Sequence, residues 1–114
     1  MTNPGTTAAA RLTIHLTGNA VWHHRPAYAE LVHRARREGL AGASVFHGCQ
    51  GFGGEGHMHL ERPAHIGAVG PCAVVIVDEE QRLRAFLPAV GDVLERASGI
   101  AVLDRVEVHP LPAR

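Results

Sequence analysis

The sequence predicts an α+β fold in which a four-stranded antiparallel sheet carries two helices on one face, in the ferredoxin-like order β-α-β-β-α-β. Three observations predict it. Leu12, Ile14 and Leu16 alternate with Thr13, His15 and Thr17, the period of a half-buried strand. Two stretches, one after Pro26 and one after Asp78, place apolar residues at helical spacing. The run Cys72 to Val77 (CAVVIV) is apolar throughout, as in a central strand covered on both faces.

Taken in order, residues 1–10 read as a tail, and the folded domain is expected over 11–109. Gly18 and Asn19 end the first strand. Pro26 suits the first position of a helix, where its missing N–H costs nothing. Tyr28, Leu31, Val32 and Ala35 then form an inner face, and Glu30, Arg34, Arg37 and Glu38 an outer one. Gly39 is the expected C-terminal stop. A second strand is expected over 43–50, followed by a glycine-rich loop over 51–70, long enough in a small domain to suggest a function. Asp78 is the expected cap of the second helix, whose inner face is Leu83, Phe86, Leu87, Val90 and Leu94, and Pro88 and Gly91 should kink or split it. Ser98-Gly99 turns the chain into a last strand over 100–109, and Pro110 and Pro112 close the domain before a tail over 110–114. Several strands look apolar on both sides, so the sheet face away from the helices needs a cover, most simply another copy of the chain.

Composition bounds the function. The 114 residues are 46% hydrophobic and 19% charged, with eleven acidic residues balancing eleven basic ones. That balance argues against nucleic acid as a partner. No apolar run spans a bilayer and no secretory signal is visible, so a cytoplasmic location is expected. Every basic residue except the histidines is Arg; there is no Lys, and there are nine His. Cys49 and Cys72 flank the loop, more simply as small buried side chains than as a redox clip.

The residues from Leu12 to Gly54 (LTIHLTGNAVWHHRPAYAELVHRARREGLAGASVFHGCQGFGG), with HMH, VVIVDEEQRLRAFLP and a closing VEV, resemble domain-of-unknown-function family 190, within the PII-like group of small signalling proteins. The most specific parts are Trp22 to Pro26, Gly39 to Ala43, Gly48 to Gly53, and Phe86-Leu87-Pro88. The resemblance implies a homotrimer of ferredoxin-like subunits. It further implies that a small-molecule ligand, an adenine nucleotide such as AMP, ADP or ATP, binds in clefts between subunits. The long loop would pass the signal to an enzyme or a membrane transporter or channel, of the fluoride-exporter type in this family. PII proteins proper use lysines around phosphates. Here only Arg is available, with Arg62, Arg82, Arg84, Arg96 and Arg105 placed where clefts could use them. A loop tyrosine for covalent modification is absent, and His47 stands where comparable members carry Arg.

The remaining motifs are weighed on their own chemistry. Gly51-Phe52-Gly53-Gly54-Glu55-Gly56 matches a dinucleotide fingerprint by spacing, but no helix follows it. A backbone cradle for phosphate involving Gly48, Gly51, Phe52, Gly53 and Gly54 is the alternative, with a plain surface loop beside it. His57 and His59 would point the same way along an extended segment, which suits a divalent metal; solvated imidazoles are the simpler expectation. Trp22 either stacks on a base or packs the helix entry against the sheet. No nucleophile, paired carboxylates or phosphate-binding signature forms a catalytic set, so a regulator rather than an enzyme is expected.

Overall fold

The computed structural model describes residues 8–52, 58–60 and 70–109. The expected order is present. Strand β1 (Ala9–Thr17) leads to a two-residue pair, β2 (Val21–Trp22) and β3 (Arg25–Pro26), and then to helix α1 (Ala27–Arg37). Next come β4 (Ser44–His47), β5 (Gln50–Phe52), β6 (Met58–Leu60) and β7 (Pro71–Glu79). Helices α2 (Glu80–Ala89) and α3 (Gly91–Ala97) precede β8 (Ile100–Val106). The four long strands form one sheet in the order β4-β7-β1-β8, every pair antiparallel.

The pairing of β1 with β7 runs from Ala9↔Glu79 to Thr17↔Pro71 without a slip. Because side chains alternate, this register puts Ala10, Leu12, Ile14 and Leu16 on the same side as Cys72, Val74 and Ile76. That side is the core. Leu31 and Ala35 of α1, Leu83 and Phe86 of α2, Val90 and Val93 cover it, all buried. The opposite sheet face stays open within one chain: Phe46 (59% exposed), Ile100 (61%), Val102 and Val77 lie there with Thr13 and Val75 between them. An open apolar sheet face is what the strand pattern predicts, and it is the surface a second copy would cover.

Several boundaries differ from expectation, each for a local reason. Strand β1 begins at Ala9, because Ala9 and Ala10 pair with both neighbours, so two residues expected in the tail belong to the sheet. Pro26 sits just before the helix, which begins at Ala27. The second helix divides at Val90, as Pro88 and Gly91 foretold, giving three helices instead of two. Asp78 does not cap α2; Glu79 holds the cap position. Asp78 instead accepts hydrogen bonds from the Ala41 and Glu79 amides and from Arg82, tying the turn after α1 to the end of β7. The last strand stops at Val106.

The largest correction concerns Glu30 and Arg34, expected on the outer face of α1. Glu30 is only 8% exposed. Its carboxylate accepts from Arg34 Nε (2.8 Å) and Arg25 Nη1 (3.2 Å). Arg34 also donates to both Asp92 oxygens and to the Ala89 carbonyl, binding α1 to α3. The hydrogen bond from Arg34 holds Glu30 below the ordinary carboxylate range, and the same guanidinium lowers Asp92. A carboxylate held this way adds stability above the ordinary glutamate value of about 4.3, and loses it as pH falls through the lowered folded value. Removing one partner of such a pair strands a nearly buried charge. Arg34→Met is therefore expected to destabilise the fold by about 3 kcal/mol at pH 7. In chemical denaturation that gap should narrow sharply by pH 3; a gap of equal size at both pH values would contradict the assignment.

Candidate functional site

The two ends of the β1–β7 pair carry different chemistry. At the Thr17↔Pro71 end the chain leaves β4 through Gly48 and Cys49 and enters β5, which pairs with β6 as Gln50↔Leu60, Gly51↔His59 and Phe52↔Met58. The base of the expected loop is thus a short hairpin. Its geometry is set by Pro71. A Cβ on Gly48 would lie 2.6 Å from Pro71 Cγ, so a side chain there must displace the proline ring, and one on Gly51 would lie 3.1 Å from the same atom, a tight contact. The Gly48 amide donates to the Pro71 carbonyl at 2.7 Å. That amide is therefore committed within the fold. Gly51 and exposed Phe52 (71%) remain at the surface of this end.

The opposite end, at Ala9↔Glu79, carries the arginines. Arg105, opposite Ala10, projects on the helix-covered side, and its Nε donates to Glu80 Oε1 at 2.8 Å. Arg84 Nε donates to Glu80 Oε2 at 2.9 Å. Arg82 serves the fold itself, spanning from Asp78 to the Gly39 carbonyl and holding the turn where Gly39 (φ +74°) leads the chain out of α1. The two ends lie about 26 Å apart, eight residues of strand at 3.3 Å each. Within one chain, then, Gly48, Gly51 and Phe52 are not brought together with Arg82 and Arg105. Gly53, Gly54, His57 and Arg62 lie outside the described residues. His59 is placed by its backbone pairing with Gly51.

Trp22 belongs to the β2–β3 pair, which no sequence pattern announced. Residues His23 and His24 form its turn, both at positive φ (45° and 70°), where turn-favouring Asn and Gly would signal a hairpin but histidines do not. The indole is half-buried against the core. The Arg34 guanidinium carbon lies 5.4 Å from its ring centre, and His23 meets it edge-on at 4.5 Å. These contacts favour the packing role over a stacking one. Cys72 is buried, which pushes its thiol up, whereas Cys49 is exposed, against the expectation that both are buried. Cys72 faces His47 across the strand pair, and His47 meets the Tyr28 ring edge-on at 5.1 Å. Among the described residues no group of three or more His, Cys, Asp or Glu side chains could hold a metal ion. No helix among them is long and apolar enough to cross a membrane.

The model of domain-of-unknown-function family 190 (DUF190, "Uncharacterized ACR") matches residues 9–108. The chain belongs to the DUF190 family. Among its relatives is a UPF0166 protein of Aquifex aeolicus (strain VF5), 29% identical over 97 residues that cover 85% of this chain and 90% of that one. The DUF190 chain also has the fold of CPII, a nitrogen regulatory PII-like protein from Thiomonas intermedia K12. The CPII structure bound to ADP, AMP and bicarbonate superposes with a TM-score of 0.64 at 19% identity, covering 88% of this chain and 87% of that one. The apo form gives 0.58 at 17% identity, covering 90% and 94%. The PII-like, ferredoxin-like architecture expected from the sequence is therefore the one this DUF190 protein has.

The packing at Pro71 generates a test. Gly48→Ala must displace the proline ring and is expected to cost about 1–3 kcal/mol. Gly51→Ala, with a longer approach, should cost less, and Gly42→Ala, which meets nothing within 4 Å, should be close to neutral. Thermal melting of the three variants gives the order; equal melting points would contradict it.

Proposed function

We propose that this protein is a PII-like homotrimeric regulator that binds an adenine nucleotide between copies. The loop base of one copy (Gly51 and Phe52) faces the Arg84–Arg105 pair of the next, and Gly53 and Gly54, which follow in sequence, stay candidates for the same ligand. The single observation that carries this reading is the separation of the two half-sites at opposite ends of the β1–β7 pair, too far apart to grip one nucleotide within a chain. The open apolar sheet face supports self-association, because a copy of the same neutral surface covers it without opposing charge; the Arg11–Asp104 pair on that face is internally matched. Closed rotational symmetry would then bring unlike ends of neighbouring copies together. Two of the CPII structures hold both ADP and AMP, which supports this ligand class for a chain of the same fold. Arginine forks suit the phosphates in place of lysine.

In this reading the segment 51–70 passes the ligand state to a partner, a transporter or channel or an enzyme. Arg105 and Arg84 would hold phosphate oxygens, Phe52 would offer an exposed ring to the base, and the Gly51 backbone allows close approach. Isothermal titration of the full chain with AMP, ADP and ATP is expected to show saturable binding. Arg105→Met should weaken it about tenfold or more, and Phe52→Ala several-fold, both with little change in melting temperature. No heat and no thermal shift with any of the three nucleotides would rule out the nucleotide assignment.

A further inference from the structure

We propose that Glu80 is a positioning residue that makes Arg84 and Arg105 into one two-pronged anion site, which raises affinity for a phosphate-bearing ligand despite Glu80's own negative charge. The proposal rests on the nucleotide reading above and names how that half-site is regulated from within the fold.

The geometry is specific. One carboxylate serves two guanidiniums, one oxygen each, and both are met through Nε. A guanidinium has five N–H donors in a rigid planar fork. When Nε–H is anchored, the donors on the two terminal nitrogens remain, and among the described residues no hydrogen bond engages those of Arg84 or Arg105. Two outward-facing forks are left side by side. Their attachment points belong to different elements, Arg84 one turn along α2 and Arg105 on β8, so the pair is held by both helix and sheet. Burial is graded to match: the Glu80 side chain is 14% exposed, against 60% for Arg84 and 82% for Arg105. The anchor lies inside and the forks lie in solvent. The Arg105 hydrogen bond, then that of Arg84, lowers the Glu80 carboxyl from its ordinary range, so the anchor stays charged at neutral pH.

Two other arginines show the contrast. Arg34 and Arg82 spend their terminal nitrogens on carboxylates and carbonyls of the fold. At Arg84 and Arg105, where Nε alone is anchored, the side chain is both held in place and left with a fork for a ligand. A carboxylate so close to an anion should weaken binding on charge alone. Positioning and simple electrostatics therefore predict opposite signs for its removal, and this makes the role testable.

The experiment titrates the full chain with ADP and with inorganic pyrophosphate, comparing wild type, Glu80→Gln, Arg105→Met and the double variant. Glu80→Gln is expected to weaken both probes about tenfold. In the Arg105→Met background the same substitution should have little further effect, since one of the two prongs is already gone. Unchanged or tighter binding by Glu80→Gln overturns the positioning role while leaving the nucleotide reading intact. Wild type that binds pyrophosphate but not ADP overturns the nucleotide reading, and Glu80→Gln against pyrophosphate then decides the role of Glu80. Wild type that binds neither overturns both.

Discussion

The unslipped antiparallel pairing of β1 with β7 is the constraint on which the rest of this protein depends. Its period of two decides which residues face the helices, and a slip by one residue would put Leu12 and Ile14 on the opposite face from Val74 and Ile76. It also decides where chemistry can sit. The same ladder that buries the core carries Pro71 at one end and Glu79, next to Glu80, at the other. A ligand that needs both the glycine-rich hairpin base and the arginine pair must find them on two different copies. The open sheet face offers the means of bringing copies together. The packing of the core and the separation of the two proposed half-sites thus follow from one register.

The absence of lysine changes how positive charge is used. An ammonium is a point charge, whereas a guanidinium can be anchored on one edge and still donate from the other. The fold assigns its arginines by that property. Arg34 is used up inside the molecule, joining Glu30 to Asp92 and lying over Trp22. Arg82 closes the turn after α1 onto the end of β7. Arg84 and Arg105 are anchored only at Nε. Zero net charge over the chain conceals this division between internal struts and outward forks.

Much of the fold was legible because it depends on local chemistry: the alternation of Leu12 to Leu16, the stop at Gly39, the break at Pro88 and Gly91, and the turn at Ser98-Gly99. The candidate site was legible mainly as a set of residues without a geometry. Glycines 48 and 51 looked like a cradle for phosphate, yet Pro71, which lies beyond the loop in sequence, leaves no free room for a Cβ at Gly48 and little at Gly51. Helical spacing placed Glu30 and Arg34 outside, because it cannot show that α3 packs across that face. The His23-His24 turn carried no hairpin signal. Nothing in the sequence singles out Glu80, since its two arginines, one four residues on and one in β8, meet only in the folded chain. Pairings between distant segments are what turn such residues into a site.

The claim that one ligand site is shared between copies is tested most directly by subunit mixing. Two separately inactive variants, Phe52→Glu at the exposed loop base, where a carboxylate repels the ligand, and Arg84→Met with Arg105→Met for the forks, are unfolded and refolded together in equal amounts. In a closed ring, about a quarter of the junctions then join an intact loop base to an intact arginine pair. ADP titration should recover about a quarter of the wild-type sites at wild-type affinity. A mixture as inactive as its two components would place each site within a single chain and contradict the shared site.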